Sequence, residues 1–514
     1  MLFNSLQYIL FLPLVVLAYW LVPKRLRLVL LLGASYYFYM SWMRSYGILL
    51  AGLTLVNYAL GLGIAKVNGS TTNEHIKLKR ILLVAGLAIN LGTLALYKYT
   101  NFIIESIWQL LPHTPIQTGI LAGSQAPVLP IILPLGISFF AFEFIHYLTD
   151  VYKGGEAIKS PIKFGLFAAF FPSQIAGPIK RYQDFMAQLV EPKPFNSKNF
   201  EAGMWLILQG MFKKVALGDN LALLVQSGFS APAGLDMLNA WVAAIAFALQ
   251  IYFDFSGYTD IGRGSAQLFG YSLPPNFNLP YLAKNLQDFW HRWHISLSTW
   301  LRDYLYIPLG GSRNGPINAM RNLVITMLLG GLWHGASWHY VAWGAFHGFG
   351  LVLHRLWQQL MTKLGINSPT VTKLSSSWAY DLTARVFTFM VVCCGWVLFR
   401  ADNLTNAYTM LGRMFSFQVA SLPDLQALFS GNATDTILTQ FCQSTLPISL
   451  SLYCLLFAGL PYLKSKLAAD NTSQDLAFWL QPPAVARVLA YAAVCFVIVG
   501  FDSLVSMPFI YFQF

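Results

Sequence analysis

The stretch Leu6-Gln-Tyr-Ile-Leu-Phe-Leu-Pro-Leu-Val-Val-Leu-Ala-Tyr-Trp-Leu-Val22 runs for 17 residues without a charged side chain. A helix of about 17–20 apolar residues is long enough to cross the hydrocarbon core of a bilayer. The rest of the chain has the same character: of its 514 residues 56% are apolar and only 11% are charged, with a mean hydropathy of +0.54. These values exclude a soluble globular protein and predict an all-α, polytopic membrane protein.

Similar apolar stretches recur along the chain. Two of them, Val128–Tyr147 and Phe164–Gly177, are interrupted by Pro or Gly and are interpreted as broken or re-entrant segments, which occur only inside protein or along a cavity. With nine other stretches, which are rich in Leu, Val, Ile and aromatic residues, they predict about nine to twelve transmembrane or re-entrant helices. Those nine stretches are Leu6–Val22, Leu28–Met43, Tyr46–Ala65, Ile81–Tyr97, Trp241–Phe253, Leu323–Leu332, Phe387–Phe399, Ile448–Leu463 and Val488–Val505.

The net charge of +12 comes from 33 Lys and Arg against 21 Asp and Glu. Basic residues cluster after the first and third apolar stretches, whereas the loop after the fourth, 112–127, contains none. This alternation follows the positive-inside rule, so the N-terminus is predicted to lie outside and the basic loops inside. The basic excess therefore indicates topology, with anionic lipid headgroups as a secondary partner, and does not indicate binding of nucleic acid.

Hydropathy divides the chain into three predicted parts. Residues 1–110 are N-terminal transmembrane spans, and residues 382–514 are C-terminal spans interrupted by a polar loop at about 417–439. In the middle part, 128–356, apolar sequence is broken repeatedly by Pro, Gly and charge. Because irregular backbone at membrane depth needs a cavity or a protein interior, we expect the functional core in this middle part, with re-entrant and interfacial helices.

The run from Leu282 to Tyr306 is too charged to cross a bilayer and too aromatic for a free loop. It is predicted to form an interfacial or re-entrant helix with one inward face, ended by the Pro-Leu-Gly-Gly sequence that follows Ile307. The residues of that face follow i, i+3, i+4, i+7 spacing. They are Trp290, Trp293, His294, Leu297 and Leu301.

Two histidines, His294 and His334, lie in or beside apolar sequence, the second within Gly330-Gly-Leu-Trp-His-Gly-Ala-Ser-Trp338. An ionisable side chain at membrane depth is costly and therefore usually marks a functional site. A neutral imidazole accepts and returns a proton near neutral pH, so His334 is predicted to be a general base that activates a hydroxyl group. A hydrogen bond from His334 to a carbonyl of a neighbouring helix is the structural alternative, which the sequence leaves open.

Other polar residues in the middle part have weaker patterns. His291 and His294 are at i, i+3, but no HExxH pattern or nearby cysteine supplies a third ligand, so no metal site is predicted. Asp254 and Asp260 favour a helix cap or a salt link between helices over ligand binding. Glu143 falls in an apolar helix and is a candidate for the same cavity as the histidines.

Four segments of the middle part resemble the membrane-bound O-acyltransferase family. The similarity is greatest to the bacterial branch that contains the alginate O-acetyltransferase membrane subunit and the D-alanyl transferase of teichoic acid export. The matching segments are Asp288-Phe-Trp-His-Arg-Trp-His-Ile-Ser-Leu-Ser-Thr-Trp-Leu-Arg-Asp-Tyr-Leu-Tyr-Ile-Pro-Leu-Gly-Gly-Ser312, Leu332-Trp-His-Gly-Ala-Ser-Trp338, Phe170-Phe-Pro-Ser-Gln-Ile-Ala-Gly-Pro-Ile179 and Asp254-Phe-Ser-Gly-Tyr-Thr-Asp-Ile-Gly262.

The resemblance implies helices around a central funnel or tunnel with a histidine at its constriction. His334 matches the histidine usually taken as catalytic, and His294 matches the second family histidine. The implied reaction moves a short acyl group, most simply acetyl, from a cytoplasmic thioester to an exported polysaccharide, across the bacterial inner membrane and with an extracytoplasmic acyltransferase as partner. No bound cofactor is implied, because acetyl-coenzyme A or an acyl carrier would be a substrate.

Further site residues are predicted around these histidines. Developing charge on a carbonyl oxygen needs a hydrogen-bond donor, for which Trp333, Trp338, Ser337 and protonated His294 are candidates. Arg292, Arg302 and Arg313 could bind the phosphates of the donor at the cytoplasmic mouth, or serve only as positive-inside anchors. The residues predicted to line the tunnel are Trp333, Trp338, Ser337, Trp293, Glu143 and Asp254.

Two alternatives to acetyl transfer follow from the same sequence. One is D-alanyl or other O-acyl transfer from a carrier protein, which the resemblance also allows. The other is a polytopic transporter or flippase, which would have broken segments and intramembrane charges as well. The sequence shows no repeat of the inverted kind that many transporters have, and this favours acyl transfer.

Overall fold

The computed structural model describes residues 1–69, 72–110, 126–174, 177–363, 377–417 and 437–454. Regular structure in these ranges is helical throughout, without a strand. Within these ranges four helices are long and apolar enough to cross a membrane, namely Arg44–Val67, Asn73–Leu110, Met237–Leu268 and Trp378–Arg400, and Leu6–Leu21 is a shorter apolar helix. The prediction of an all-α, multi-pass membrane protein is therefore confirmed.

The helices up to the middle of the chain are α1 Leu6–Leu21, α2 Arg27–Met40, α3 Arg44–Val67, α4 Asn73–Leu94, α5 Thr100–Leu110, α6 Ile137–Tyr152, α7 Pro161–Ala169, α8 Phe171–Gln174, α9 Tyr182–Gln188, α10 Ser197–Met211, α11 Asn220–Ser230 and α12 Met237–Leu268. The later ones are α13 Leu286–Arg292, α14 Ile295–Leu301, α15 Gly315–His334, α16 Trp338–Lys363, α17 Trp378–Arg400, α18 Leu404–Met414, α19 Ile437–Gln443 and α20 Leu446–Tyr453. Wider π-helical turns occupy Ala95–Tyr99, Phe212–Asp219 and Arg302–Tyr306.

Small residues allow the helices around the core to approach closely. Helix α12 packs along α10, where a Cβ added at Gly210 would lie 2.5 Å from the carbonyl oxygen of Gly257. Helices α15 and α16 meet in the same way, because a Cβ on Gly344 would overlap the carbonyl oxygen of Met327. Such contacts replace the hydrophobic effect as the main source of helix association in a bilayer. They hold α15 against α16, and His334 is the last residue of α15.

The prediction of one continuous interfacial or re-entrant helix from Leu282 to Tyr306 is wrong, because the helix is interrupted between α13 and α14. His294 adopts a left-handed conformation with φ 42°, and it forms the N-cap position of α14. The segment before α13 forms hydrogen bonds to both sides of this interruption. The backbone carbonyl of Asn276 accepts from the amide of Ile295 at 2.9 Å, and the amide of Asn278 donates to the backbone carbonyl of Arg292 at 3.0 Å. These bonds stabilise a backbone conformation that costs an L-residue about 1–2 kcal/mol. The predicted inward residues are nevertheless all buried.

Two other expectations are refined by the structure. The stretch 241–253 is part of a longer helix, α12, which continues through Asp254 and Asp260 to Leu268. Val128–Tyr147 is broken as predicted, with non-helical backbone up to Gly136 and helix from Ile137 onward. The span 488–505, most of 448–463 and nearly all of the polar loop 417–439 lie outside the described residues.

Candidate functional site

The imidazoles of His294 and His334 both contact the indole of Trp333. The ring centroid of Trp333 is 6.1 Å from that of His294 and 4.9 Å from that of His334. His294 is fully buried and His334 is 4% exposed. The fold therefore brings together two histidines that are 40 positions apart in the sequence, in surroundings that exclude most water.

His334 is the last residue of α15, and two side chains hold that helix end. The Lys98 ammonium donates to the backbone carbonyls of Trp333 at 2.6 Å and His334 at 2.9 Å, and the Tyr99 hydroxyl donates to Leu332 at 2.8 Å. A helix C-terminus exposes carbonyls that lack intrahelical partners, and a cation there also interacts favourably with the helix dipole. The sequence does not predict a role for either residue, since both follow directly after the fourth apolar stretch, Ile81–Tyr97.

Aromatic rings enclose the His334 imidazole. Its centroid lies 5.1 Å from that of Trp343 and 5.2 Å from that of Phe399, both in edge-to-face geometry. His294 is packed edge-on to Phe255 at 4.7 Å. Neither ring nitrogen of His294 has a hydrogen-bond partner on another described residue. Because a buried polar group without a partner is costly, these nitrogens are available for a substrate or water.

A cavity of about 1030 Å³ lies near the two histidines; neither His294 nor His334 lines it, but Ile295, the neighbour of His294, does. Its walls include Trp290 and Met327. Trp290 contacts Trp343 at 5.7 Å, and Trp343 contacts His334 at 5.1 Å, so two indoles lie between the cavity and His334. The cationic side chains on its walls include those of Arg302, Arg355 and Lys363. Arg302 is the residue for which the sequence predicts phosphate binding, whereas no sequence pattern singles out Arg355 or Lys363. His291 also lines the cavity.

The other predicted arginines lie outside this cavity. Arg292 pairs with Asp288 at 2.7 Å within α13, and its guanidinium also donates to the carbonyl of Asn278. Arg313 is exposed in the turn before α15. Neither is among the residues that line the cavity. Of the three arginines, the structure therefore brings only Arg302 to the cavity.

The predicted tunnel-lining residues are distributed over several places. Trp338 is 52% exposed and packs against Phe102 at 5.4 Å, away from the His334 ring contacts. Ser337 is half-buried in the turn before α16. Trp293 is buried in an aromatic cluster, 4.8 Å from Trp396. Trp333 alone among these residues contacts both imidazoles.

The predicted acidic residues form buried ion pairs. Glu143 binds Lys180 at 2.7 Å, and Asp254 binds Lys214 at 2.6 Å. The second pair joins α12 to the π-helical turn before α11, as the salt-link interpretation of Asp254 predicted. Lys214 also binds Asp219 at 2.8 Å, and the neighbouring Lys213 binds Asp260 at 2.6 Å. The two lysines had no distinguishing signal in the sequence beyond a charged pair next to an apolar stretch.

The chain matches a family model and several named relatives. The model of the membrane-bound O-acyltransferase family matches residues 157–396. The probable alginate O-acetylase AlgI of Azotobacter vinelandii is 37% identical over all of both chains. The peptidoglycan O-acetyltransferase of Helicobacter pylori is 35% identical over 76% of this chain and 74% of its own length.

A more distant relative is the teichoic acid D-alanyltransferase of Streptococcus thermophilus. It is 29% identical over 43% of this chain and 57% of its own length. The family model covers both His294 and His334, and the Azotobacter protein matches the chain from end to end. The chain thus belongs to the membrane-bound O-acyltransferase family and is an O-acyltransferase.

Proposed function

We propose that this enzyme transfers an acetyl group from a thioester donor on the cytoplasmic side of the bacterial inner membrane to an exported polysaccharide. The observation that carries the proposal is the arrangement of a large cavity with cations on its walls, separated from His334 by the indoles of Trp290 and Trp343. The names of the alginate and peptidoglycan relatives support a polysaccharide acceptor. The family match favours acyl transfer over the transporter alternative.

The donor enters from the side where Arg302, Arg355 and Lys363 lie. These cations suit the phosphates of coenzyme A or of a phosphopantetheine arm, and the positive-inside rule assigns them to the cytoplasm. With that orientation α15 runs outward, from Gly315 at the cytoplasmic end to His334, and the N-terminus is outside. The acyl group then passes Trp290 and Trp343 to reach the histidines.

In the proposed reaction the imidazole of His334 removes the proton from an acceptor hydroxyl. The hydroxyl oxygen attacks the thioester carbonyl carbon, the C–O bond forms, the C–S bond breaks, and His334 returns the proton to the leaving thiolate. The carbonyl oxygen gains negative charge during the attack and needs donors. The indole N–H of Trp333 and that of Trp343 are buried beside His334 without a hydrogen-bond partner among the described residues, which favours them and His294 over Trp338.

The direct test is label transfer from radioactive acetyl-coenzyme A in membranes that contain the full-length protein. Candidate alginate-like and peptidoglycan-like polymers are supplied together with an extracytoplasmic acyltransferase, the partner we propose. We expect alkali-labile acetyl ester in one polymer. Transfer only from an acyl-loaded carrier protein would instead favour the carrier-protein alternative, including D-alanyl transfer. Absence of transfer from either donor would contradict the proposal.

Replacement of Arg355 by Gln tests the donor end of the cavity. Arg355 is preferred to Arg302, because Arg302 already pairs with Asp303 at 2.8 Å. A hydrogen bond to a charged group contributes about 1.5–3 kcal/mol, so KM for the donor should rise by about tenfold or more with little change in kcat. Arg313→Gln is the matched control, because Arg313 is exposed and does not line the cavity. Equal KM values for both variants would contradict this donor site.

Replacement of Lys98 by Met tests whether the α15 cap positions His334. The substitution keeps an unbranched side chain but removes two charge-assisted hydrogen bonds to the helix end. We expect kcat to fall by about tenfold while KM changes little, because a small displacement of a base is costly and no donor contact is lost. Lys98→Arg should restore part of kcat. A Lys98→Met enzyme with unchanged kcat would mean that the cap does not position the base.

A further inference from the structure

A second cavity, of about 880 Å³, lies between α1 and the pair of helices α10 and α12. Its walls are mainly apolar and include Leu12 and Leu17 of α1, Met204 and Ile207 of α10, and Ile261 of α12. Trp20, which also lines it, ties α1 to α12 by donating its indole hydrogen to the carbonyl of Leu268 at 3.0 Å. We call this cavity the α1 groove.

Two cations lie at one end of the α1 groove. Lys24 and Arg27 line it just after α1, and neither forms an ion pair with a described carboxylate. Arg27 is only 8% exposed, and its guanidinium lies over the Trp20 ring at 4.7 Å and the Tyr19 ring at 5.1 Å. One of its nitrogens donates to the carbonyl of Lys193 at 3.0 Å. A buried cation normally has an anionic partner nearby.

The guanidinium of Arg27 retains an unused donor. Its Nε is buried and has no hydrogen-bond partner among the described residues. Lys24, in contrast, lines the same end of the α1 groove and is exposed. A guanidinium and an ammonium together form a suitable site for a phosphate, because both donate to its oxygens and both neutralise its charge.

The dimensions of the α1 groove match one leaflet of a bilayer. Its α1 wall runs from Tyr8 to Trp20, which at 1.5 Å per residue is about 18 Å, compared with about 15 Å for half of the hydrocarbon core. The outward side of α1 is strongly apolar, with Leu10, Leu14 and Leu21 each more than half exposed. The groove therefore faces the environment in which lipid chains are available.

We propose that the α1 groove binds one anionic glycerophospholipid, with its phosphate at Lys24 and Arg27 and an acyl chain along the apolar wall. The charge at one end and the apolar length select an amphipathic anion, and a free phosphate would satisfy only the charged end. The site is distinct from the cavity beside His334, and the proposal does not depend on acyl transfer. The bound lipid would fasten α1 to α10 and α12.

Native mass spectrometry of the full-length protein in detergent tests this site. After delipidation the protein is titrated with palmitoyl-oleoyl phosphatidylglycerol, with the matching phosphatidylcholine, and with inorganic phosphate as a competitor. We expect one tightly retained phosphatidylglycerol per protein and at least about fivefold weaker binding of phosphatidylcholine. Each Lys or Arg near an anionic headgroup contributes about 1 kcal/mol, and the choline ammonium makes the phosphatidylcholine headgroup net neutral. Inorganic phosphate at millimolar concentration should not displace the lipid.

Two variants separate the charged end from the apolar wall. Lys24→Gln should weaken phosphatidylglycerol binding by about fivefold and phosphatidylcholine binding less, because the choline ammonium already offsets the charge of that phosphate. Leu17→Trp should fill the groove and weaken binding of both lipids. Leu14→Trp is its matched control, because Leu14 is as exposed and lies on the same helix, but does not line the groove.

Arg27 also supports the fold through its hydrogen bond to the Lys193 carbonyl. Two substitutions are therefore compared, one that removes its positive charge and one that keeps it. Arg27→Gln should abolish the preference for phosphatidylglycerol, and Arg27→Lys should restore it in part; each variant must elute as a single species before titration. Equal retention of both lipids by the unaltered protein, or phosphatidylglycerol binding that is unaffected by Lys24→Gln and by Leu17→Trp, would overturn the proposal. Displacement by inorganic phosphate alone would indicate an ion site instead of a lipid site.

Discussion

Replacement of His334 by Ala should lower acyl transfer by about 10²- to 10⁴-fold, the range that a general base contributes. The side chain is buried among Trp333, Trp343 and Phe399, and its helix end is fixed by Lys98. Without the imidazole, the acceptor hydroxyl loses the base that we propose, and bulk water is largely excluded from this buried site. Donor binding, in which we propose that Arg355 takes part, should persist, so kcat should fall far more than KM changes.

The measurement is the initial rate of label transfer, normalised to the amount of folded protein in the membrane. His354→Ala is the control variant, because His354 lies on the next helix, is half-buried and does not line the cavity of Arg302 and Arg355. It should retain nearly all activity. A folded His334→Ala enzyme that keeps more than about a tenth of the normal kcat would exclude His334 as the base.

Replacement of Lys214 by Met should destabilise the whole protein. The Lys214 ammonium lies between Asp219 at 2.8 Å and Asp254 at 2.6 Å, with all three side chains no more than 3% exposed. Removal of one partner from a buried ion pair costs about 3–5 kcal/mol, because the remaining charge stays in a medium of low polarity. Lys214→Met removes the cation that two carboxylates share, so the unfolding temperature should fall by about 5 °C or more.

The matched control for this prediction is Lys284→Met. Lys284 pairs with Asp381 at a similar distance, 2.7 Å, but the two side chains are 44% and 32% exposed. An exposed pair contributes about 0–1 kcal/mol, so this variant should unfold within about 1–2 °C of the unaltered protein. Thermal unfolding in detergent, followed by the loss of a monodisperse species, measures both. Similar unfolding temperatures for the two variants would show that the buried cluster contributes little to stability.

The Lys214 cluster depends on a backbone feature that the sequence did not reveal. In an α-helix, residues five apart, such as Lys214 and Asp219, point about 140° away from each other. The π-helical turn Phe212–Asp219 has wider i to i+5 geometry and brings these two side chains to the same side. A second π-helical turn, Ala95–Tyr99, carries Lys98 and Tyr99 to the end of α15. Local sequence does not encode such turns, because tertiary packing stabilises them.

The sequence by itself determined the all-α membrane class, since hydropathy depends only on neighbouring residues and on the fixed thickness of a bilayer. It also singled out His294 and His334, because ionisable groups in apolar sequence are conspicuous. Only the tertiary structure decided that both histidines contact Trp333 and that the helix is interrupted at His294. It also decided that Arg355 lines the same cavity as Arg302. These features depend on contacts between residues distant in sequence, which no local pattern records.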